Sequence, residues 1–114
     1  MRISRAAMEL KKVIRKIISG EEGIAVLDKS WDDTFAGTVR FVTETWWVLD
    51  IFNDCDSLDY LEGVITPEGQ KFTDDGNNRY WMSFLRRKKN NFDLNKLEKV
   101  LKSAPVITKE MAMK

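Results

Sequence analysis

Residues 35–65, FAGTVRFVTETWWVLDIFNDCDSLDYLEGVI, decide the fold of this chain. Within them, β-branched and aromatic residues dominate three runs, at 35–43, 46–52 and 58–65, which short polar segments separate. This pattern is typical of consecutive β-strands. The connections are too short for a parallel crossover, so the three strands are expected to pair antiparallel.

Two adjacent tryptophans, Trp46 and Trp47, open the second predicted strand. Successive side chains of a strand point to opposite sheet faces, so the two indoles cannot enter one core together. We expect Trp47, Leu49 and Ile51 to face the core and Asp50 to face outward. The other indole is then exposed as a binding anchor or packed under a loop. The alternative is a large core in which this indole lies under the first helix.

Helical patterns flank the strands on both sides. Residues 4–19 place apolar side chains at helical spacing with lysine and arginine opposite them, and Ser4 is the expected N-cap. Residues 79–89 and 94–104 predict two further helices, the last of which ends at Pro105.

The order of these segments predicts an α+β domain. It has an N-terminal helix, a three- to four-stranded antiparallel sheet, and two C-terminal helices packed on one sheet face. Residues 70–73 are the candidate fourth strand, and the short apolar run 24–27 is of undetermined type. Residues 1–104 are expected to form the single domain and 105–114 a flexible C-terminal tail.

The composition excludes several kinds of active site. The chain has 114 residues, no histidine and one cysteine, so histidine-dependent nucleophiles, structural zinc and an internal disulfide are all excluded. We expect no catalytic residues, no metal and no cofactor. No stretch approaches 18 consecutive apolar residues, which predicts no membrane span and, with no signal-like start, a cytoplasmic location.

Charge is segregated although the net charge is only +1. Residues 50–75 carry eight acidic residues against one lysine, whereas residues 76–102 carry eight basic residues against two acidic ones. Residues 1–20 carry six basic residues against one glutamate. The prediction is a bipolar molecule with an acidic strand side and a basic helical side, unless the opposite charges pair across the surface.

The densest polar segment is residues 53–59, NDCDSLD. Three readings remain open: a solvated strand connection, an acidic contact surface for a partner, and a cation site, which is disfavoured because the calcium-loop glycine is absent. Cys55 lies between Asp54 and Asp56, whose charges disfavour its thiolate. We therefore expect a buried or half-buried structural cysteine.

Part of this stretch resembles a known family. The run IFNDCDSLDY at residues 51–60, followed by PEG at 67–69 and preceded by SWDD at 30–33, resembles a family of short bacterial proteins classed as a domain of unknown function. The likeness covers roughly residues 4–103. It implies a compact bacterial cytoplasmic domain, and no activity can be carried over from it.

These features lead to one function hypothesis and one alternative. The first is a small non-enzymatic protein-binding module, most concretely an immunity-type or antagonist protein that blocks a nuclease or another nucleic-acid-handling partner with a basic surface. Its expected partner contacts are Asp54, Asp56, Asp59, Tyr60, Glu62 and Trp46. The alternative is a nucleic-acid-binding accessory protein. Its expected contacts are Lys11, Lys12, Arg15, Lys16, Arg86, Arg87, Lys88 and Lys89.

Overall fold

The structure is a computed structural model that describes residues 2–27, 29–76 and 79–107. Two α-helices, one 3-10 turn and six strands make up this part of the chain. In chain order they are α1 (Ile3–Ser19), β1 (Ile24–Leu27), β2 (Ala36–Thr43), β3 (Val48–Asp54), β4 (Ser57–Ile65), β5 (Lys71–Thr73), the 3-10 turn (Phe84–Arg86), α2 (Leu94–Lys102) and β6 (Val106–Ile107).

The six strands form one mixed sheet in the order β5-β4-β3-β2-β1-β6. Neighbours from β1 to β5 pair antiparallel, as predicted, whereas β6 pairs parallel with β1. The prediction of three to four strands was therefore too low. The run 24–27 supplies an inner strand, and 106–107, predicted to be tail, supplies an edge strand. The Val26 N–H donates to the Pro105 carbonyl at 2.8 Å and guides the chain onto that edge.

Both helices pack on one face of the sheet, which confirms the α+β class. Leu10, Ile14 and Ile17 of α1 and Leu97 and Leu101 of α2 are at most 1% exposed and join the buried strand residues in one hydrophobic core. The amphipathic pattern of residues 4–19 predicted this packing because its apolar stripe must find an apolar partner.

The opposite face of the sheet remains partly exposed. Along β2 and β3, buried residues alternate with partly exposed ones, and the partly exposed set does not join the core. We call this second set, with its neighbours on β4, the open sheet face. Its members are Thr38, Arg40, Val42, Val48, Asp50, Phe52, Tyr60, Glu62 and Ile65.

The helix predicted over 79–89 is not formed, so only one of the two C-terminal helices exists. The predicted apolar residues of this segment are buried, but turns bring them into the core. The Asp74 carboxylate accepts from the backbone N–H groups of Trp81 and Met82 at 2.8 and 2.6 Å, and Arg87 donates to the Tyr80 carbonyl at 3.3 Å. The Tyr80 carbonyl, which a helix would pair with the Phe84 N–H, thus accepts from a side chain, and the Phe84 N–H donates to the Trp81 carbonyl instead.

Two predictions at chain ends are also corrected. The N-cap of α1 is Arg2, with no side-chain capping bond, so Ser4 lies inside the helix. Of the predicted tail 105–114, residues 106–107 form β6, and residues 108–114 lie outside the described residues.

Candidate functional site

A tight hairpin turn joins β3 to β4 and presents the polar segment that the sequence singled out. Asp54 pairs with Ser57, which leaves only Cys55 and Asp56 in the loop, with φ of 49° and 74°. Positive φ at both positions is the geometry of a two-residue turn that matches the twist of the strands. Such a turn projects its side chains outward, so the prediction of a buried or half-buried Cys55 is wrong: the thiol is exposed.

Asn53 ties this turn to the loop that precedes β2. Its side chain is fully buried, and its amide nitrogen donates to the Thr34 carbonyl at 2.6 Å and, at 3.4 Å, to the Trp31 carbonyl. Its amide oxygen accepts from the Asp56 N–H at 2.8 Å. The loop and the turn therefore lie side by side at one end of the sheet.

Asp56 acts within the fold. One oxygen of its carboxylate accepts from the indole N–H of buried Trp31 at 3.0 Å, and the other lies 3.4 Å from the Lys102 ammonium of α2. The Trp31 ring is 1% exposed, so this bond supplies the partner that a buried indole N–H needs. Asp56 was predicted as a partner contact, but one of its two carboxylate oxygens accepts the hydrogen bond that holds Trp31 in the core.

Four other carboxylates at this end of the sheet have no cation partner in the described ranges. Asp32 and Asp33 lie on the loop and are exposed, Asp54 lies at the end of β3, and Asp59 lies near the start of β4. Phe35 directly precedes β2, whose first residue, Ala36, pairs with Asp54, and it is 76% exposed. We call these four carboxylates and Phe35 the acidic end.

Tyr60 and Glu62 continue from the acidic end onto the open sheet face. The rings of Tyr60 and Phe52 stack with centroids 5.2 Å apart, and the Thr38 hydroxyl donates to the Glu62 carboxylate. Partial burial, together with the nearby charges of Glu62 and Asp59, raises the pKa of Tyr60 above its ordinary value. The structure thus brings three of the six predicted contacts, Asp59, Tyr60 and Glu62, close together.

The centre of the open sheet face carries one neutralised pair. Arg40 and Asp50 are directly opposed on β2 and β3, and the guanidinium donates two bonds to the carboxylate, at 2.7 and 2.9 Å. These bonds raise the pKa of Arg40, since the carboxylate favours the charged form and outweighs the effect of burial. Asp50 therefore adds little net charge to the face.

Trp46 lies at the other end of the open sheet face. It was predicted to open the second strand, but it lies in the β2–β3 turn with φ of 71°, before β3 begins, and it is 55% exposed, whereas Trp47 is buried. The length of β3 separates it from Asp54 by about 20 Å. It borders an apolar groove of about 320 Å³ that Ala25, Val42 and Ile107 also line. Trp46 is thus not part of the acidic end.

Four of the eight predicted phosphate contacts donate to backbone carbonyls of the chain itself. Arg86 donates to the Leu58 and Asp59 carbonyls, at 2.8 and 3.2 Å, on the part of β4 that β5 does not pair. Arg87 donates to the Tyr80 carbonyl and lies over its ring, with 4.0 Å from the guanidinium carbon to the centroid. The other two, Lys11 and Arg15, join α1 to residues 89–90 and are described below.

Phe35 is the surface residue that sequence reasoning missed. Its position in the two-residue period of β2 is that of Val39 and Phe41, which are buried, so the pattern favours a core position. The strand begins only at Ala36, however, and Gly37 has φ of 145°, which interrupts the alternation. Asp32 and Asp33, which only Thr34 separates from Phe35, are the one signal that could have indicated exposure.

Two further features of the described residues concern metal ions and membranes. No group of three or more cysteine, aspartate and glutamate side chains among them is arranged to hold a metal ion. No helix among them has the length and apolar character needed to cross a membrane.

Comparison with known proteins places the chain in a family. Residues 5–102 match the family described as "Domain of unknown function (DUF7693)". The match spans most of the chain, so the chain belongs to this family, and the resemblance drawn from the sequence is confirmed at that level. No curated protein and no solved structure matches the chain.

Proposed function

We propose that this member of the DUF7693 family is a non-enzymatic protein-binding module that docks its acidic end and the adjoining part of the open sheet face onto a basic partner. In its most concrete form it is an immunity-type or antagonist protein that blocks a nuclease or another nucleic-acid-handling protein. The observation that carries the proposal is the exposure of Phe35 among four carboxylates that have no cation partner in the described part of the chain.

The physical argument combines an anchor with a charge. A large exposed aromatic ring supplies contact area that becomes buried on binding, and such rings are common anchors of interfaces. Unpaired carboxylates around it raise the association rate with a basic protein and disfavour acidic partners. Tyr60, stacked on Phe52, extends the aromatic area next to Asp59.

The experiment begins with capture of partners from the native host by the immobilised chain, followed by purification of each captured protein. Association rates are then measured for the wild type and for Asp54→Lys/Asp59→Lys. We expect the reversal to slow association at least about tenfold at low salt and to flatten its salt dependence. If the partner is a nuclease, an equimolar amount of the wild-type chain should also stop cleavage.

The matched control is Glu21→Lys/Glu68→Lys, which makes the same change in net charge at two exposed positions outside the acidic end. It should alter association by less than about threefold, because only local charge steers docking strongly. Equal effects of the two double variants, or an unchanged rate for the first, would remove the acidic end as the docking surface.

A further inference from the structure

A second charged surface lies on the helical side of the molecule. The Arg15 guanidinium donates to the Asn90 carbonyl at 3.0 Å, and the Lys11 ammonium to the Lys89 carbonyl at 3.4 Å. These bonds place α1 against a segment that is about 75 residues away in sequence. Two basic clusters that are separate in the chain thereby become one surface.

We call this surface the basic groove side. Its six cations are Lys11, Lys12, Arg15, Lys16, Lys88 and Lys89. In the described part of the chain, no carboxylate lies within 4.0 Å of any of their charged nitrogens, whereas Arg5 of the same helix is paired with Glu9. The alternative, that opposite charges pair across the surface, does not hold for these six residues within the described part of the chain.

A concave groove of about 260 Å³ runs between α1 and this segment. Cationic side chains of Lys11, Arg87 and Lys89 line it together with the apolar side chain of Met8, which is 61% exposed, and the ring of Tyr80. The Arg87 guanidinium carbon lies over the Tyr80 ring, 4.0 Å from its centroid, so the wall of the groove is an aromatic ring with a cation over one face. Groups of this kind are suited to flat, electron-rich ligands as well as to phosphates.

We propose that the basic groove side binds single-stranded nucleic acid, with the lysines on the phosphates and the groove against the bases. Cations that lack carboxylate partners match a regular row of phosphates. The groove favours a single strand over a duplex, because only a single strand can turn its bases toward an apolar and aromatic wall. This surface shares no residue with the acidic end, so the inference does not depend on the proposed function.

The test is fluorescence anisotropy with a labelled single-stranded oligodeoxynucleotide of about 15 nucleotides, a length at the upper range of known site sizes. About four phosphate contacts would give a slope near −3 in log affinity against log salt, a loss of about 50-fold from 50 to 200 mM. At 50 mM salt each phosphate contact raises the affinity about eightfold. The variant Lys12→Glu/Lys89→Glu loses two contacts and should therefore bind about 60-fold more weakly.

The control variant Lys96→Glu/Lys99→Glu carries the same change in net charge on exposed positions of α2 and should weaken binding less than about fivefold. Thermal unfolding of both variants establishes that they are folded. Absence of binding at 50 mM salt, or equal losses for the two variants, would overturn the proposal. The single-strand assignment would be overturned if a duplex, or vesicles containing phosphatidylserine, bound as tightly as the single strand and lost affinity to the same extent in the variants.

Discussion

Replacement of Asn53 by alanine should remove most of what holds the acidic end in place. The Asn53 side chain is 0% exposed and makes two short bonds, to the Thr34 carbonyl at 2.6 Å and from the Asp56 N–H at 2.8 Å. Asn53→Ala leaves the carbonyl of buried Thr34 without its donor, which costs about 1–3 kcal/mol, and it also removes the bond to the N–H of exposed Asp56, which is worth about 1 kcal/mol. The expected loss in the free energy of unfolding is therefore about 3 kcal/mol.

Urea denaturation followed by tryptophan fluorescence measures this loss. For an m value of about 1.5 kcal/mol/M, the unfolding midpoint should fall by about 2 M. Asn95→Ala is the matched control, since Asn95 is exposed on α2, and it should shift the midpoint by less than about 0.3 M. A loss for Asn53→Ala below about 1 kcal/mol, or no larger than that of the control, would refute the reasoning about the buried amide.

Two further predictions concern single side chains. In a Tyr80→Phe background, absorbance titration should give a pKa for Tyr60 above 10.0, and Glu62→Gln should lower that pKa. Because the pKa of Tyr60 is higher in the folded than in the unfolded chain, the free energy of unfolding should fall as the pH rises past about 10. An unchanged titration midpoint in the Glu62 variant would contradict the electrostatic cause. Arg86→Met should lower the free energy of unfolding by about 1–2 kcal/mol, since two carbonyls of β4 lose a charged donor, whereas Lys88→Met should change it by less than about 0.5 kcal/mol.

Local patterns predicted the central part of the fold. The helix over 4–19 and the strands near 35–43 and 58–65 follow from side-chain periodicity within each segment, and the structure differs at their ends by three residues or fewer. The strand predicted to begin at Trp46 begins at Val48, because the turn takes in both tryptophans. Period and turn chemistry are local properties, so one sequence is enough to reveal them.

Long-range pairing determined what the sequence could not predict. β6 is two residues long and has no period of its own, and it is a strand only because Val106 pairs with Val26, eighty residues earlier. The segment 79–89 has helical spacing, yet it forms turns, and Arg86 in it donates to carbonyls of β4 that lie 27 and 28 residues earlier. In both cases the deciding partner lies outside the window that a pattern can examine.

The same distinction applies to the candidate site. Clustering of carboxylates in residues 50–75 indicated an acidic region, and Asp54 and Asp59 do lie at one end of the sheet. The sequence could not show that Asp56 would bind Trp31 and Lys102, because both partners are more than 20 residues away. Nor could it show that Asn53 would bring a second loop, with two more aspartates, to the same place.

Hydroxyl-radical footprinting of the chain in complex with its captured partner tests the docking surface most directly. Oxidation of exposed side chains, read by mass spectrometry, compares Phe35 and Tyr60 with Met8 on α1 in one experiment. If the acidic end binds the partner, oxidation of Phe35 and Tyr60 should fall at least about fivefold while Met8, 61% exposed, reacts as in the free chain. Protection of Met8 with unchanged oxidation of Phe35 would contradict the proposal and assign the interface to the helices.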